Sequence, residues 1–473
     1  MRVLKFGGTS VGTVPAMTSL KSVVESRVEP TVVVVSALGG LTDRLIDTAL
    51  QCAKGINYTE RLGQMRQRHH DMIAALVPQG RHHCVKEVID ARIGELDAFY
   101  ARILESPEMQ SVLIDDIVAR GEMMSSEIVA AAIPNATRLD ALDFMRTRRR
   151  AGGRNVLDAD LTSSLIQEAF GEKDLLKEGC VVVPGFISRD ADDLSITNLG
   201  RGGSDFTGAL IASALGADVL EIWTDVDGFM TADPRMIPNA MVLDRMSMVE
   251  AMELCNYGAK VIYPPTIYPV FHAGIPIIIK NTFNPSAPGT YICDADNEAT
   301  DAELPVKGVT AIKNTELVIV DGEADSVLNA RIFNALGRHG IDVFMAVTVS
   351  RNGIGFVVKG SDAPRTYNIL SDEFAIECAT GMIKEIRRHK DVATVAVVGR
   401  HIRRLHGLED KLLQVLAKGG LQPVEGATAV SETSFSMVMS MGQLQAAMSL
   451  LHEALFVPKP ARPKLNPKLF AET

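Results

Sequence analysis

The sequence predicts an α/β protein in which a doubly wound, mainly parallel sheet is followed by two small α+β modules. From Arg2 to about Ile292, short β-branched strands alternate with helical patterns. Near-continuous apolar strands separated by helices are typical of a parallel sheet covered on both faces. After residue 305 the pattern changes to a strand–helix–strand–strand unit that occurs twice, with an offset of about 80 residues.

The first part of the chain carries the predicted sheet. Strands are expected at 3–6, 31–35, 180–183 and 219–223. Helices are expected at 18–26, from Thr42 onward and at 204–215. Residues 57–130 look mostly helical, which predicts a long helical insertion before the alternation resumes.

The second part of the chain repeats itself. VIVDG from Val318 matches AVVGR from Ala396, IFNALGRHGIDV from Ile332 matches LLQVLAKGGLQP from Leu412, and NGIGFVV from Asn352 matches ETSFSMV from Glu432. Because register and spacing agree along the whole unit, we interpret it as two copies of one α+β module rather than two unrelated packing units. The predicted divisions are a first domain at 1–300, modules at 306–388 and 390–456, and an extended tail, rich in proline and basic residues, at 457–473.

Composition and charge argue against several classes of protein. A net charge of -10 is unlike a general nucleic-acid binder, which usually needs a basic face. The six cysteines show no CxxC spacing, so free thiols are expected rather than disulfides or a zinc site. The N-terminus has no basic-then-apolar signal segment, and the apolar stretch near it is too short to span a bilayer. We therefore expect a cytoplasmic protein with neither a nucleic-acid nor a membrane partner.

The first chemical cluster is KFGGTS, directly after the first strand and before a helix. Gly7 and Gly8 let the backbone approach a ligand closely, and their amides can point at phosphate oxygens. Lys5 would place a cation beside the same oxygens. The signal is weak by itself, because strand–glycine–helix turns are common in α/β proteins. The chain contains neither GxxxxGK[ST] nor GxGxxG, which argues against a P-loop and against a dinucleotide site.

Two further clusters follow. GRGGSD at 200–205 places glycines at a helix N-terminus, which suits anions, and Arg201 offers a bidentate fork for a carboxylate or phosphate. Asp205 could be a dipole partner in the first helical turn, hold a metal or orient Lys5. TDVDG at 224–228 precedes TADPR at 231–235. Turn chemistry explains these aspartates, and the EF-hand pattern fails because no glutamate follows at the required spacing.

Seven motifs occur in the order found in aspartate kinases: KFGGTSV, SALGGLTDRL, ARGE, GRGGSD, TDVDG, TADPR and YGAKVIYP. Over roughly residues 1–456 the chain resembles this family, whose catalytic domain has the amino-acid kinase fold. The repeated modules resemble the ferredoxin-like ACT regulatory domains that follow it there. The resemblance implies phosphorylation of L-aspartate to 4-phospho-L-aspartate, with ATP and Mg²⁺. It also implies a monofunctional enzyme, since the homoserine dehydrogenase fused to some relatives needs a few hundred further residues.

The resemblance implies roles for individual residues. Lys5 should stabilise the charge that builds up during transfer, and Asp205 should organise the site near the lysine and the metal. Glu122 should pair with the α-ammonium group of aspartate, and Arg201 with its α-carboxylate. Further substrate contacts are expected from Ser36, Thr42 and Ser204. Nucleotide contacts are expected from Lys5, Phe6, Gly7, Gly8, Thr224, Asp225, Met230, Arg235, Lys260 and Val261.

The resemblance also implies regulation. ACT domains usually bind a pathway end product where two copies pair, so we expect an amino-acid effector, lysine or threonine, and a homodimer through these modules. In this family one module can be threaded through the other. Around Gly322 the chain reads DGEADSVLNA rather than GMxGxPG, which leaves the identity of the effector open. Met230 stands where tyrosine is usual, and Tyr263 where histidine is usual.

Two other functions stay open at this point. A kinase of the same superfamily could act on another carboxylate or on a nucleotide, although the paired modules and the RGE segment count against it. A degenerate kinase domain could serve as a non-catalytic amino-acid sensor. A sensor, however, would not need the four charged residues that are retained, which are Lys5, Glu122, Arg201 and Asp205.

Overall fold

A computed structural model describes residues 1–149, 155–171, 179–293, 304–322, 326–350, 353–457 and 464–465. Contacts divide the chain into two compact units. The first comprises 1–229 and 261–293, and the second comprises 230–260 and 294–473. The six cysteines all lie in the described residues and form no disulfide bond there. None of the described helices is long and apolar enough to cross a lipid bilayer.

The elements are numbered along the chain. The described strands are β1 (Arg2–Phe6), β2 (Thr31–Val35), β3 (Ala136–Arg138), β4 (Arg146–Arg149), β5 (Asn155–Leu157), β6 (Cys180–Pro184), β7 (Ile187–Asp190), β8 (Ile196–Asn198), β9 (Val219–Thr224), β10 (Arg245–Met246), β11 (Ile277–Asn281), β12 (Thr290–Ile292), β13 (Val306–Gly322), β14 (Val343–Ser350), β15 (Gly353–Lys359), β16 (Ile383–Gly399), β17 (Thr428–Val430), β18 (Ser434–Ser440), β19 (Phe456–Val457) and β20 (Lys464–Leu465). The described α-helices are α1 (Gly8–Val11), α2 (Val14–Glu25), α3 (Leu41–Cys52), α4 (Thr59–Leu76), α5 (His82–Glu105), α6 (Met109–Ala132), α7 (Ala159–Gly171), α8 (Gly203–Leu215), α9 (Met248–Asn256), α10 (Tyr268–His272), α11 (Ser326–Arg338), α12 (Ala363–Glu373), α13 (Ala375–Thr380), α14 (Leu408–Lys418) and α15 (Leu444–Leu455).

The main sheet of the first unit runs in the order β12-β11-β9-β1-β2-β6-β3. Its strands pair in parallel except β12, which is antiparallel to β11. The valine-rich β2 and β6 are buried along their whole length, as expected for strands covered on both faces. The predicted doubly wound, mainly parallel sheet is confirmed.

The predicted helical insertion consists of α4, α5 and α6. Every residue of α6 from Ile117 to Ser126 is buried, so this part of the helix is enclosed on all sides rather than amphipathic. Glu122 lies in the middle of that buried stretch. A small sheet in the order β5-β4-β7-β8 stands beside the main sheet and carries Asn198 at the end of β8.

The second unit is built on an antiparallel sheet in the order β14-β15-β13-β16-β18-β17. Its long central strands, β13 and β16, pair along their whole length. The register shifts between Ile312 and Thr315, and nearby Asn314 and Asp391 have positive φ of 58° and 53°. Asn and Asp tolerate this left-handed conformation better than most residues. The irregularity divides each long strand into two halves.

The halves of the long strands belong to different modules. The second half of β13 continues into α11, β14, β15, α12 and the first half of β16, which gives the strand order of a ferredoxin-like unit. The second half of β16 begins the other unit, with α14, β17, β18 and α15. The remaining strand of this second module is the first half of β13, which comes before the whole of the other module in the chain. The two modules are therefore interleaved.

The matched segments of the repeat occupy matching elements. Those at 318–322 and 396–400 lie mainly in β13 and β16, those from 332 and 412 begin in α11 and α14, and those from 352 and 432 include β15 and β18. The predicted division between modules, at 388–390, falls inside β16. Residues 230–260, which the sequence grouped with the first domain, group with the second unit. Of the predicted tail, only residues 457 and 464–465 are described, and they belong to the paired strands β19 and β20.

Candidate active site

Three glycine-bearing loops meet at the carboxyl edge of the main sheet, where open α/β sheets bind their ligands. The first glycine loop (7–12), which includes the single-turn helix α1, follows β1, and the second (36–40) follows β2. The third (199–203) connects β8 to α8. The sequence predicts functional residues in all three loops.

The first glycine loop is tied to the neighbouring strands through buried groups. The amide of Gly7 and the hydroxyl of Ser10 both donate to the carbonyl oxygen of Trp223, at 3.1 Å each. Thr282 Oγ1 donates to Ser10 Oγ at 2.6 Å. The ring of Phe6 stacks on that of Trp223, with centroids 5.6 Å apart, so the Phe6 side chain belongs to the core. Only the backbone of Phe6 is then left for its predicted nucleotide contact.

The first and second glycine loops touch through their backbones. A Cβ added at Gly39 would lie 2.8 Å from the carbonyl oxygen of Gly8. One added at Gly12 would lie 3.2 Å from the amide nitrogen of Gly39. At Gly39 the approach is too close for any side chain, so glycine is required there. The two loops therefore form one continuous backbone surface.

Lys5 and Asp205 form an ion pair beside these loops. Lys5 Nζ lies 2.5 Å from Asp205 Oδ1, and both side chains are largely buried. Asp205 lies in the first turn of α8, whose Gly208 lets the helix pack against Lys5. The ion pair is the arrangement that one of the three roles left open for Asp205 requires, the orientation of Lys5. A lysine held in this way presents a fixed positive charge to a ligand.

Glu122 is a buried carboxylate with one open oxygen. Glu122 is 4% exposed, and its Oε1 accepts a hydrogen bond from the amide of Ala37 at 3.1 Å. Its Oε2 has no hydrogen-bond partner among the described residues. Burial raises the pKa of the Glu122 carboxyl to about 8. Ser125, one turn further along α6, donates to the carbonyl oxygen of Ser36 at 2.7 Å and so fixes the second loop on the same helix.

The third glycine loop presents Arg201 to solvent. Gly200 and Gly202 flank it with φ of 74° and 70°, a left-handed backbone that favours glycine. Arg201 has no carboxylate partner in the part of the chain that the structure describes. A Cβ at Gly202 would lie 2.6 Å from the Cβ of Tyr263. Tyr263, which departs from the family pattern, therefore packs directly on this loop.

Asp115 and Asn198 belong to the site and were missed by the sequence analysis. Asn198 Nδ2 donates to Asp115 Oδ1 at 2.6 Å, and Asn198 Oδ1 accepts from the amide of Gly200 at 2.9 Å. The pair thus anchors the third loop to α6. Asp115 lies seven residues before Glu122, about two helical turns, and this spacing could have revealed it. No local signal distinguishes Asn198.

A cavity of about 680 Å³ joins these groups. Eight of the predicted site residues line it, together with Asp115 and Asn198: Lys5, Gly8, Ser36, Thr42, Glu122, Arg201, Ser204 and Asp205. Two cations, several carboxylates and exposed glycine backbone therefore face a common space. This combination suits a ligand that carries charges of both signs.

The other predicted nucleotide contacts lie outside the lining of this cavity, and they include Phe6 and Gly7 of the first strand and loop. Thr224 and Asp225 follow β9, and Thr224 Oγ1 donates to Asp225 Oδ1 at 3.2 Å. Val261 also belongs to the first unit. Met230, Arg235 and Lys260 belong to the second unit. Their contacts with a nucleotide stay predictions.

Comparison with known proteins gives one family. The amino acid kinase family matches residues 1–281. The bifunctional aspartokinase/homoserine dehydrogenase of Haemophilus influenzae is 30% identical over 466 residues, which cover 96% of this chain and 56% of that protein. The lysine-sensitive aspartokinase 3 of Escherichia coli is 27% identical over 464 residues, covering 96% and 99%. The chain thus spans about half the length of the bifunctional relative.

Solved structures of aspartate kinases are also similar to this chain over nearly its whole length. Aspartokinase III of E. coli, in complex with aspartate and ADP in the R-state, matches with a TM-score of 0.79 and 26% identity, covering 96% of this chain and 99% of that one. The same enzyme with lysine and aspartate in the T-state gives 0.72, with the same identity and coverage. The Clostridium acetobutylicum aspartate kinase gives 0.77 at 23% identity, covering 96% and 99%, which supports the fold alone.

Proposed function

Because the chain belongs to the amino acid kinase family, we propose that it transfers the γ-phosphoryl group of ATP to the side-chain carboxylate of L-aspartate. The cavity carries this proposal. Lys5 and Asp205 are paired beside the first glycine loop, whereas the carboxyl group of Glu122 and the guanidinium of Arg201 line the same cavity without an ionic partner among the described residues. Aspartokinase III of E. coli, which this chain resembles over 96% of its length, has been solved with aspartate and ADP.

The open groups are complementary to an amino acid. The α-ammonium group of aspartate would bind Oε2 of Glu122, which has no other partner among the described residues. The α-carboxylate would bind the guanidinium of Arg201 in a bidentate manner. The hydroxyls of Ser36, Thr42 and Ser204 line the same cavity and supply further hydrogen bonds. The side-chain carboxylate is left to face the phosphate donor.

The reaction needs no general base. The aspartate side chain is ionised at pH 7, so its oxygen can attack the γ-phosphorus without losing a proton. A carboxylate O–P bond forms, the bond from the γ-phosphorus to the bridging oxygen breaks, and ADP leaves with that bond's electron pair. The difficulty lies in bringing two anions together. Lys5 and the amides of the glycine loops stabilise the developing charge, as is usual for phosphoryl transfer.

Mg²⁺ fits this arrangement as a companion of the nucleotide. The described residues contain no group of three or more His, Cys, Asp or Glu that could hold a metal by itself. Mg²⁺ commonly keeps several waters and binds through phosphate oxygens with one or two carboxylates. Asp205, which lines the cavity beside Lys5, would supply such a carboxylate. The ion would neutralise part of the phosphate charge.

The second unit is proposed to bind an amino-acid effector. Its interleaved ferredoxin-like modules have the form expected of paired ACT domains, and aspartokinase III of E. coli has been solved with lysine. Lysine is therefore the first candidate and threonine the second. A homodimer through these modules and a cytoplasmic location stay predictions.

The activity is tested by trapping the product with hydroxylamine. Full-length protein with Mg-ATP should give an aspartate hydroxamate with L-aspartate, and none with glutamate, N-acetylglutamate or no acceptor. N-acetyl-L-aspartate should also fail, because it lacks the ammonium group that Glu122 would bind. Absence of product from L-aspartate with folded protein would favour another acceptor or a non-catalytic sensor.

The same assay tests regulation. We expect millimolar lysine, or otherwise threonine, to lower the rate, with leucine as a control amino acid. If neither lysine nor threonine changed the rate, the second unit would need another ligand or the proposed inhibition would be wrong.

A further inference from the structure

Arg68 lies on α4, in the helical insertion, and reaches two loops of the site. Its Nη2 donates to the carbonyl oxygen of Gly12 and to that of Gly39, both at 2.9 Å. These carbonyls belong to the first and second glycine loops. One nitrogen atom thus bridges the two loops whose backbones touch between Gly8 and Gly39.

The partners of Arg68 differ from those of its neighbours on the helix. Arg61 pairs with Asp47, and Arg66 pairs with Asp90. No carboxylate in the described part of the chain pairs with Arg68. Hydrogen bonds from a charged donor are stronger than neutral ones, and here both go to loop backbone. Arg68 is therefore placed to fix the loops rather than to solubilise the helix.

Fixing a carbonyl also fixes the amide of the same peptide. In a trans peptide the C=O and the following N–H point in opposite directions. Because Arg68 holds the carbonyl of Gly39, the N–H of Gly40 is directed away from the guanidinium. Gly39 and Gly40 both line the cavity, and Gly40 has a φ of 74°. Glycines have no side chain to restrict their backbone, so an external restraint has a large effect there.

We infer that Arg68 is a positioning residue that holds the first and second glycine loops in the conformation that binds nucleotide phosphates. The inference rests on the proposed function, which assigns the amides of these loops to the phosphoryl group being transferred. Arg68 acts through the loops and is not proposed to touch a substrate. Its loss should therefore weaken nucleotide binding and phosphoryl transfer more than it weakens aspartate binding.

The test compares Arg68→Met, Arg68→Lys and the matched control Arg66→Met in the full chain. Trp223 is the only tryptophan, and its carbonyl accepts hydrogen bonds from the first glycine loop, so its fluorescence should report MgADP binding. We expect Arg68→Met to lower kcat/KM for ATP about 10- to 100-fold, as loop misplacement typically does. It should weaken MgADP affinity while the KM for aspartate changes little. Arg68→Lys should recover part of the loss, because one nitrogen makes both bonds, and Arg66→Met should match the wild type.

Several outcomes would overturn the inference. One is an Arg68→Met protein that matches Arg66→Met in MgADP affinity and in kcat/KM. Another is a loss that affects ATP and aspartate equally and follows a lowered Tm. If Arg68→Met does not fold, Arg68→Lys and Arg66→Lys decide: weaker MgADP binding in Arg68→Lys alone supports the inference, and equal binding refutes it. A wild type that binds MgADP but never phosphorylates aspartate would refute the proposed acceptor, while the MgADP comparison would still decide the role of Arg68.

Discussion

The two ends of the cavity are completed in different ways. At the lysine end, Lys5 already has a partner, because Asp205 lies 2.5 Å away. At the glutamate end, Glu122 Oε2 is buried without a hydrogen-bond partner among the described residues, and the exposed Arg201 has no carboxylate partner among them. Buried polar groups are almost always hydrogen-bonded, and Glu122 lines the cavity, so its open oxygen is a place where a ligand can bind. The paired end is ready before substrate arrives, and the open end is completed by substrate.

The same contrast appears within α6. Burial raises the pKa of both Asp115 and Glu122. Asp115, however, accepts a hydrogen bond from Asn198, which in turn holds the amide of Gly200. One carboxylate oxygen of Glu122 accepts a hydrogen bond from the amide of Ala37, and the other has no partner among the described residues. Two carboxylates on one helix therefore differ in their partners, and only Glu122 keeps an oxygen for a ligand.

The largest effect on turnover should follow from removing the positive charge of Lys5. Lys5→Met removes a fixed charge that stabilises the transition state, and we expect kcat to fall about 100- to 1,000-fold. The KM for aspartate should change little, because the glutamate end stays intact. Steady-state kinetics against Lys21→Met, a lysine on the exposed side of α2, provides the control. Near-normal turnover of Lys5→Met would remove Lys5 from the mechanism.

Removing the guanidinium of Arg201 should weaken the binding of aspartate rather than slow turnover. Arg201→Met removes a charged hydrogen-bond donor, and we expect the KM for aspartate to rise about 10- to 100-fold. The KM for ATP should stay within a few-fold of the wild type. Both constants are measured by varying one substrate at saturation of the other. An equal rise in the two KM values would contradict the assignment of Arg201 to aspartate rather than to ATP.

The pH dependence of aspartate binding sharpens the contrast. With a pKa of about 8, Glu122 is mostly protonated at pH 6 to 7 in the free enzyme and cannot pair with an ammonium group. The KM for aspartate should therefore fall as the pH rises towards 8, by up to about tenfold per unit. In Glu122→Gln the KM should be high and nearly independent of pH over this range. A pH-independent KM in the wild type would contradict the assigned role of Glu122.

The smallest effect is expected at the anchor of the third glycine loop. Asn198→Ala removes the link between Asp115 and Gly200, and we expect a rise of about 3- to 10-fold in the KM for aspartate. Asp115→Asn should have a similar effect, because it disturbs the same hydrogen bond. The double variant should be no worse than the more affected single variant. Additive losses would show that the two residues act separately.

Much of this fold and site could be predicted because the signals are local in sequence. The buried valine strands, the helical insertion and the three glycine loops each follow from a short segment, and eight predicted residues line the cavity. The role of Arg68 and the bond between Asp115 and Asn198 depend on contacts between distant segments, which leave no local pattern. The raised pKa of Glu122 likewise depends on the burial of α6 on every side, which only tertiary packing determines.

The most direct test of the contrast is the number of protons released when aspartate binds. Glu122 must lose its proton to pair with the ammonium group of aspartate. Titration calorimetry at pH 7, repeated in buffers of different ionisation enthalpy, measures this number. We predict about one proton released per aspartate bound by the wild type, and close to none by Glu122→Gln. No release from the wild type, or the same release from Glu122→Gln, would contradict the account.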